Sequence, residues 1–201
     1  MLKLGLTGSI GMGKSTVAQM FREAGVPVHD SDATVHSLYS GAAVPLIEKL
    51  FPGTTVDGMV DRNRLALRVL GDAAALGCLE KVIHPLVSES RDRFVAQQAA
   101  LGASLVILDI PLLFETGAQA VVDAILVVTA SADIQKARVM SRSGMTHEKF
   151  AQIVEKQLPD AQKQRQAKYV IHTDGSLAAT RSQVLALLTR LAGNEIATPH
   201  A

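Results

Sequence analysis

A loop near the start of the chain has the spacing of a phosphate-binding site. Residues 8–15 read Gly-Ser-Ile-Gly-Met-Gly-Lys-Ser and match G-x-x-x-x-G-K-[ST] at every fixed position. The glycines let the backbone curl so that its N–H groups point at phosphate oxygens. The ammonium group of Lys14 would reach the β- and γ-phosphates, and the hydroxyl of Ser15 would ligate Mg²⁺. The loop therefore predicts binding of a nucleoside triphosphate, the alternative being an ordinary glycine-rich turn with a surface lysine.

Carboxylates that follow predicted strands could take part in phosphoryl transfer. Asp30 and Asp32 come after a short strand predicted over residues 26–29 and point in different directions on an extended backbone. We expect one of them to orient or deprotonate an acceptor hydroxyl, the alternative being a helix N-cap. Asp109 ends the most apolar strand, and a carboxylate there beside a phosphate loop indicates contact with Mg²⁺ or its waters. The sequence assigns no role to Glu115.

A cationic segment supplies the positive charge that phosphoryl transfer needs. Residues 136–168 carry eight Lys or Arg side chains against three carboxylates, a local net charge of +5. Arg138 and Arg142 lie four positions apart on one helix face, followed by a possible hinge at Ser143-Gly144. We expect both arginines to close over ATP as part of a lid that excludes water. Three lysines of the segment are interpreted as a solvated helical face, namely Lys149, Lys156 and Lys163.

The elements that position these residues are those of an α/β protein. Apolar runs of strand length lie at residues 2–7, 26–29, 104–110, 124–129 and 169–172, separated by helical patterns. Continuous apolar runs suit parallel strands that are buried on both faces, and helices between them form right-handed crossovers. We therefore predict the P-loop NTPase fold of the α/β class, a five-stranded parallel sheet flanked by helices.

The helical stretch between the second and third strands is too long for a simple crossover and predicts an insertion. We predict a single domain over residues 1–201. Its parts are a nucleotide-binding core of residues 1–59, 102–135 and 169–193, a helical insertion at 60–101, a helical lid at 136–168 and a flexible tail at 194–201.

The composition excludes several other classes of protein. The 201 residues are 48% hydrophobic and 19% charged, which is typical of a globular chain. A net charge of +1 and an aromatic content of 3% argue against partners such as nucleic acid or an anionic membrane. No apolar run approaches the roughly 18 residues of a membrane span and no signal peptide is evident, so we expect a cytoplasmic location. The lone Cys78 is interpreted as a small buried hydrophobe.

Among P-loop proteins the sequence favours a small-molecule kinase. The Asn-Lys-x-Asp tetrad of guanine-nucleotide switches is absent from the sequence, and a motor ATPase usually has a longer chain. Such a kinase needs a group that orients the acceptor hydroxyl, an acid that supports Mg²⁺, and cations for the phosphoryl group in transfer. The residues above could supply all three. A kinase for another acceptor, such as a nucleoside monophosphate, and a non-catalytic nucleotide sensor stay open as alternatives.

The motifs together resemble those of the dephospho-coenzyme A kinases, which use ATP to phosphorylate the ribose 3′-hydroxyl of dephospho-CoA. The resemblance covers nearly the whole chain and is most diagnostic at residues 109–115, Asp-Ile-Pro-Leu-Leu-Phe-Glu. It also rests on residues 5–16, on Asp30-Ser31-Asp32, on residues 83–86, on the span from Arg138 through Arg142 and Gln157 to Arg165, and on residues 170–175. Lys168 and the pair His172-Thr173 depart from the family's pattern.

The resemblance implies a role for each matched position. Asp32 would be the catalytic base, with Lys14, Arg138 and Arg142 offsetting the charge of the transferred phosphoryl group. ATP would bind to Gly8, Gly11, Met12, Gly13, Lys14, Ser15 and Thr16, and near adenine to Asp174 and Gly175. Dephospho-CoA would contact Asp32, His84, Pro111 and Leu112. The insertion at 60–101 would be the acceptor-binding subdomain, with His84-Pro85 opening its long helix. Mg²⁺, the expected cofactor, would bind to Ser15 and, through its waters, to Asp109.

Overall fold

The centre of the fold is the five-stranded parallel sheet that the sequence predicts. The structure is a computed structural model that describes residues 1–195. The strands of the sheet are β1 (Leu2–Thr7), β2 (Val28–Asp30), β5 (Leu105–Asp109), β6 (Ala124–Thr129) and β7 (Tyr169–His172), in the order β2-β5-β1-β6-β7. A separate antiparallel hairpin contains β3 (Thr55–Val56) and β4 (Met59–Val60).

Helices connect the strands. They are α1 (Lys14–Glu23), α2 (Ser31–Leu38), α3 (Val44–Leu50), α4 (Arg62–Val69), α5 (Ala73–Ala100), α6 (Ala132–Met140), α7 (His147–Glu155), α8 (Asp160–Gln166) and α9 (Leu177–Glu195), with a 3-10 turn at Ala118–Val121. Internal contacts divide the chain into two compact units, one of Met1–Val28 with the chain from Gly102 onward, and one of His29–Leu101. The insertion at 60–101 and the lid at 136–168 stay predictions. The tail predicted at 194–201 lies outside the described residues from position 196 on.

In the first unit, apolar side chains of the strands and of two helices form the main core. Leu4 and Leu6 of β1 are fully buried with Leu126 of β6, and α1 adds the fully buried Phe21. Helix α9 contributes Val184 to the same cluster. Alternate residues of a strand face opposite sides of a sheet, so Leu4 and Leu6 cover one face while Gly5 lies on the other. This packing fixes the carboxyl end of β1, where the phosphate loop begins.

Gly5 leaves room for the segment that follows β5. A Cβ atom at Gly5 would lie 2.7 Å from Cδ1 of Leu113 and 2.9 Å from Cγ1 of Val122. Leu113 is fully buried and packs with Phe114 and Val127 in a second cluster on this side. The register of β1 and β5 sets Leu6 opposite Asp109, so the carboxylate that ends β5 lies at the edge where β1 enters the loop.

The second unit has its own apolar core and a hairpin that the sequence analysis did not predict. The core includes Ile47 of α3, Leu65 of α4 and Ile83 of α5. In the hairpin, Asp57 and Gly58 both have positive φ angles, 51° and 76°. Two residues with positive φ between paired strands form the type I′ geometry that an Asp-Gly pair favours. The Asp-Gly pair was therefore the signal for this hairpin.

The prediction that His84-Pro85 opens the long helix is wrong, because α5 runs through Pro85 from Ala73 to Ala100. Asp72 is the actual N-cap, and its carboxylate accepts the N–H groups of Ala74 and Ala75. A proline inside a helix removes one backbone hydrogen bond at a cost of about 3 kcal/mol. Side chains packed on both sides of Pro85, such as the buried Ile83, offset that cost.

The interpretation of Cys78 as a buried residue is also wrong. Cys78 is exposed, whereas its neighbour Leu79 is buried in the core of the second unit. Successive helical residues point about 100° apart, so the apolar composition around Cys78 does not place it on the buried face. No helix of the described part of the chain combines the length and apolar character needed to cross a membrane.

Candidate active site

The phosphate loop has a conformation that its glycines make possible. Gly11 and Gly13 have φ angles of 79° and 87°, in the left-handed region that side chains with a Cβ disfavour. A Cβ at Gly11 would lie 2.6 Å from Cγ2 of Val139, and one at Gly8 would lie 2.6 Å from the carbonyl oxygen of Val128. The loop is thus packed directly against β6 and α6, and its curve depends on glycine at these positions.

The N-terminus of α1 follows the loop and lacks a side-chain cap. The helix begins at Lys14, and Gly13 at the N-cap position offers no side-chain acceptor. The first N–H groups of a helix have no partner within the helix and carry its positive dipole end, so they favour an anion. Ser15 and Thr16 are exposed in the first turn. Ser15 and Thr16, both predicted to bind ATP, therefore lie at one solvent-accessible helix end.

Lys14 and Asp109, which the sequence analysis assigned to ATP and Mg²⁺, contact each other. Nζ of Lys14 lies 2.5 Å from Oδ1 of Asp109, and the two side chains are 14% and 3% exposed. Charged partners make short, strong hydrogen bonds when they are shielded from water. The contact holds the ammonium group beside the loop. Phosphate oxygens could compete for the ammonium group, and the water ligands of a cation could compete for the carboxylate.

Arg138 contacts the phosphate loop and the residue that follows β7. Its Nη1 donates to Oγ1 of Thr173 at 2.8 Å and contacts the carbonyl oxygen of Gly11 at 3.5 Å, and its Nη2 donates to the carbonyl oxygen of Thr173 at 2.6 Å. The hydroxyl of Thr173 donates in turn to the carbonyl oxygen of Met12 at 2.9 Å. Arg142 is instead exposed just beyond the end of α6. A contact of either arginine with the phosphoryl group stays a prediction.

Thr173 is a site residue whose role the sequence analysis missed. Thr173 departs from the family's pattern, but it follows β7 at the carboxyl edge of the sheet and is 4% exposed. The phosphate loop follows β1 at the same edge of the sheet. A residue directly after another parallel strand, such as Thr173, is therefore a candidate for contact with the loop. Thr173 also faces Gly13, where an added Cβ would lie 3.1 Å from the threonine Oγ1.

Asp174 and Gly175, predicted to lie near adenine, begin the connection to α9. Oδ1 of Asp174 accepts the N–H of Ser131, the N-cap residue of α6, at 2.6 Å. That hydrogen bond lowers the pKa of Asp174, so the carboxylate is ionised at neutral pH. Gly175 is exposed. Asp174 therefore fixes the start of the helix that carries Arg138, and its contact with adenine stays a prediction.

The segment after β5 is held by the sheet and by a buried ion pair. The carbonyl oxygen of Pro111 accepts the hydroxyl of Thr7 at 2.9 Å, and Leu112 is 42% exposed. Further along, Glu115 lies 2.9 Å from Nζ of Lys163. The prediction of a solvated Lys163 is wrong: its side chain is 0% exposed, because α8 packs against β6 and turns this position inward.

Glu115 is kept ionised by its partners. Burial opposes its charge, but the contact with Lys163 and the hydrogen bond from the N–H of Leu158, at 2.8 Å, outweigh burial and lower the pKa of Glu115. The residue to which the sequence analysis assigned no role therefore connects the segment after β5 to the approach to α8.

In the second unit, the two carboxylates of the Asp30-Ser31-Asp32 motif have different surroundings. Oδ1 of Asp30 accepts the N–H of Ala33 at 2.9 Å and caps α2. Asp32 is exposed in the first turn of α2, and its carboxylate has no hydrogen-bond partner among the residues described. The N-cap alternative thus applies to Asp30. His84 is exposed on α5.

His29 joins three elements of the second unit and was missed by the sequence analysis. Its Nε2 lies 3.2 Å from Oγ1 of Thr34 on α2 and 3.4 Å from Oγ of Ser90 on α5, and its ring packs 5.5 Å from that of Phe94. Burial lowers the pKa of His29, so the ring is neutral at neutral pH. The only sequence feature that could have indicated this role is the position of a single histidine at the end of an apolar strand. His29 holds α2, and with it Asp32, against α5.

Comparison with known proteins identifies the family. The model of the protein family described as dephospho-CoA kinase matches residues 2–179 of this chain. The dephospho-CoA kinase of Mesorhizobium japonicum is 58% identical over 193 residues, which are 96% of this chain and 98% of that protein. The dephospho-CoA kinase of Rhizobium etli is 53% identical, over 95% of this chain and 94% of that protein. The chain belongs to the dephospho-CoA kinase family.

Solved structures share the fold of this chain. A crystal structure of a Thermus thermophilus protein has a TM-score of 0.81 and 37% identity, and the match covers 94% of this chain and 97% of that one. Shikimate kinase from Bacteroides thetaiotaomicron has a TM-score of 0.52 at 17% identity, over 95% of this chain and 98% of that one, and shares the fold. As a member of the dephospho-CoA kinase family, the chain is an ATP-dependent kinase with the predicted P-loop fold.

Proposed function

We propose that this chain transfers the γ-phosphate of ATP to the ribose 3′-hydroxyl of dephospho-CoA and so forms CoA. The observation that carries the proposal is the phosphate loop, with Lys14 held 2.5 Å from Asp109, in a chain of the dephospho-CoA kinase family. Positioning and charge neutralisation are the main contributions of a protein to phosphoryl transfer. The loop, Lys14 and Asp109 are groups of that kind.

The phosphates of ATP would lie against the loop N–H groups and the uncapped start of α1. The ammonium group of Lys14 would then leave Asp109 and contact phosphate oxygens. The exposed Arg142 would approach the γ-phosphate from the predicted lid. Both cations would offset the negative charge that moves to the leaving oxygen of ADP. Arg138, with three contacts to Thr173 and Gly11, would keep the loop in shape during the transfer.

Asp32 is proposed as the base. Its carboxylate would accept the proton of the 3′-hydroxyl while the hydroxyl oxygen bonds to the γ-phosphorus and the bond from that phosphorus to the ADP oxygen breaks. The exposure of Asp32, beside an Asp30 that is occupied as a helix cap, supports this choice between the two carboxylates. Contacts of dephospho-CoA with His84, Pro111 and Leu112 are proposed on the family resemblance, and the cytoplasmic location stays a prediction.

Ser15 and Asp109 fit a magnesium ion that ATP brings with it. Mg²⁺ keeps several waters and needs only one or two protein oxygens beside those of the phosphates. Ser15 offers an exposed hydroxyl and Asp109 a carboxylate at the end of β5. Within residues 1–195, no group of three or more His, Cys, Asp or Glu side chains could hold a metal ion. When bound, Mg²⁺ neutralises charge on the β- and γ-phosphates.

An acceptor screen tests the proposed reaction. Purified protein with ATP and Mg²⁺ is offered dephospho-CoA, AMP or pantetheine, and the products are identified by mass spectrometry. We expect CoA and ADP in equal amounts from dephospho-CoA and no phosphorylated product from the other two. Phosphorylation of AMP alone would show a nucleoside monophosphate kinase, and ATP binding without transfer to any acceptor would show a sensor.

A further inference from the structure

Two glutamine side chains hold the backbone of Ile10 in the phosphate loop, and neither takes part in the proposed reaction. The N–H of Ile10 donates to Oε1 of Gln157 at 3.1 Å, and the carbonyl oxygen of Ile10 accepts from Nε2 of Gln135 at 2.8 Å. Gln135 is buried, with 8% exposure. Partly buried backbone groups require partners, so the two side chains determine how this part of the loop is oriented.

The glutamines lie at the two ends of one helical segment. Gln135 belongs to α6, and Gln157 lies two positions after the last residue of α7, so residues 136–156 lie between the two glutamines. This stretch makes up most of the predicted lid. Both of its ends are therefore bonded to the same residue of the phosphate loop.

Gln157 is itself fixed by the buried ion pair. The next residue, Leu158, donates its N–H to Oε1 of Glu115 at 2.8 Å, and Glu115 lies 2.9 Å from Lys163. The side chain of Lys163 is 0% exposed. A carboxylate in contact with a buried ammonium group is held in one position, so the peptide that follows Gln157 is held as well.

We propose that Gln157 is a positioning residue for ATP binding, and that the ion pair of Glu115 and Lys163 acts through it. The Ile10 N–H is occupied by Gln157, which leaves the later N–H groups of the loop and the start of α1 oriented for phosphate. A phosphate loop held in one conformation binds the phosphates of the substrate and of the transition state equally. Loss of that conformation therefore changes the affinity for ATP rather than the rate of transfer. The inference rests on the proposed function only in taking ATP as the ligand.

The first test replaces Gln157 by Met, which preserves length and removes the acceptor. Calorimetric titration with Mg·ATP is expected to show a Kd about three- to tenfold higher, the range that corresponds to one lost neutral hydrogen bond. We expect kcat and the KM for dephospho-CoA to stay within about twofold. The matched control is Gln162→Met on α8, where the side chain is exposed and ATP affinity should not change. Unchanged ATP affinity in Gln157→Met would overturn the proposal.

The second test asks whether the ion pair acts through Gln157. The variant Lys163→Met/Glu115→Gln replaces both charged side chains by neutral ones of similar size, and should raise the Kd for Mg·ATP, though by no more than Gln157→Met does. An unchanged Kd would overturn the role of the ion pair. Combining all three changes should add nothing further, because changes that act through one group are not additive. Additive losses would show that the pair acts independently. If the pair variant does not fold, Lys163→Arg, which keeps the charge but moves it, takes its place.

The titrations separate the inference from the proposed function, because ATP binding needs no acceptor. If wild-type protein forms CoA while Gln157→Met binds ATP as tightly as wild type, the inference alone fails. If wild-type protein forms no CoA while Gln157→Met still weakens ATP binding, the proposed reaction alone fails.

Discussion

The contact between Glu115 and Lys163 leads to a large and specific effect on stability. The side chain of Lys163 is 0% exposed, that of Glu115 is 16% exposed, and their charged atoms lie 2.9 Å apart. Glu115→Gln preserves the shape of the side chain and an oxygen for the N–H of Leu158, but leaves an ammonium group without its counter-charge. Breaking a buried pair in this way costs about 3–5 kcal/mol. For a domain of this length, that loss lowers Tm by about 6–20 °C.

Urea denaturation at neutral pH measures the loss. Lys163→Met should cost less than Glu115→Gln, because the carboxylate that it leaves behind is nearer to water than the ammonium group is. The double variant should recover most of the stability, since no charge is then left unpaired. A loss below about 1 kcal/mol in Glu115→Gln, the size of an exposed pair, would refute the reasoning. So would a double variant that is less stable than both single variants.

The pH dependence of stability provides a check on the same pair. The folded-state pKa of Glu115 lies below its ordinary value of 4.5. The stability that this group contributes is therefore fully present above pH 4.5 and is lost as the pH falls through the lower folded-state value. Glu115→Gln should remove that part of the acid dependence.

Other positions lead to further predictions. Gly11→Ala should lower stability by at least about 1–2 kcal/mol and weaken ATP binding about tenfold or more in calorimetry, because a Cβ would meet α6 at 2.6 Å. Gly25→Ala is its control, with a φ of 81° and nothing within 4 Å, and should affect stability alone. Arg138→Met should lower Tm, whereas Arg142→Met should leave Tm unchanged and lower kcat about tenfold or more. The pKa of His29 lies below 6.5, so the free energy of unfolding, measured by urea denaturation, should fall as the pH falls below 6.5. The same fall in pH should lower the free energy of unfolding of His29→Gln by less.

The structure changes how the charge of residues 136–168 is interpreted. The excess of cationic side chains predicts a lid that meets polyphosphate. Arg138 is bonded to Thr173 and the loop, and Lys163 is buried against Glu115. Two of the eight cationic side chains therefore support the fold around the loop. Arg142 stays exposed and is the better candidate for a contact with phosphate.

Local patterns were sufficient to predict the sheet and the loop. The apolar runs predicted all five strands of the main sheet, and Asp109 at the end of β5 lies beside the phosphate loop, as expected, although its contact with Lys14 was not predicted. The strands follow from hydrophobic periodicity, and the position of Asp109 follows from the geometry of parallel strands. The Asp57-Gly58 hairpin was overlooked although its signal is local. His84-Pro85 was misplaced because packing around α5 outweighs the proline's preference for a helix start.

Contacts between distant parts of the chain could not be predicted. Ile10 and Gln157 are 147 positions apart, and nothing in either local sequence indicates the hydrogen bond between them. Lys163 has the spacing of a surface lysine, and only the packing of α8 on β6 turns it inward. The supporting residues of the loop therefore depend on tertiary structure, whereas the loop itself is apparent in the sequence.

The most direct test of the proposed reaction compares wild-type protein with Asp32→Asn. Formation of CoA from ATP and dephospho-CoA is followed by mass spectrometry, and ATP binding is measured separately by calorimetry. Wild-type protein should form CoA, and Asp32→Asn should lose at least about 100-fold in kcat while its Kd for ATP stays within about threefold. Turnover of Asp32→Asn at the wild-type rate would contradict the assignment of the base, and absence of CoA with wild-type protein would contradict the reaction itself.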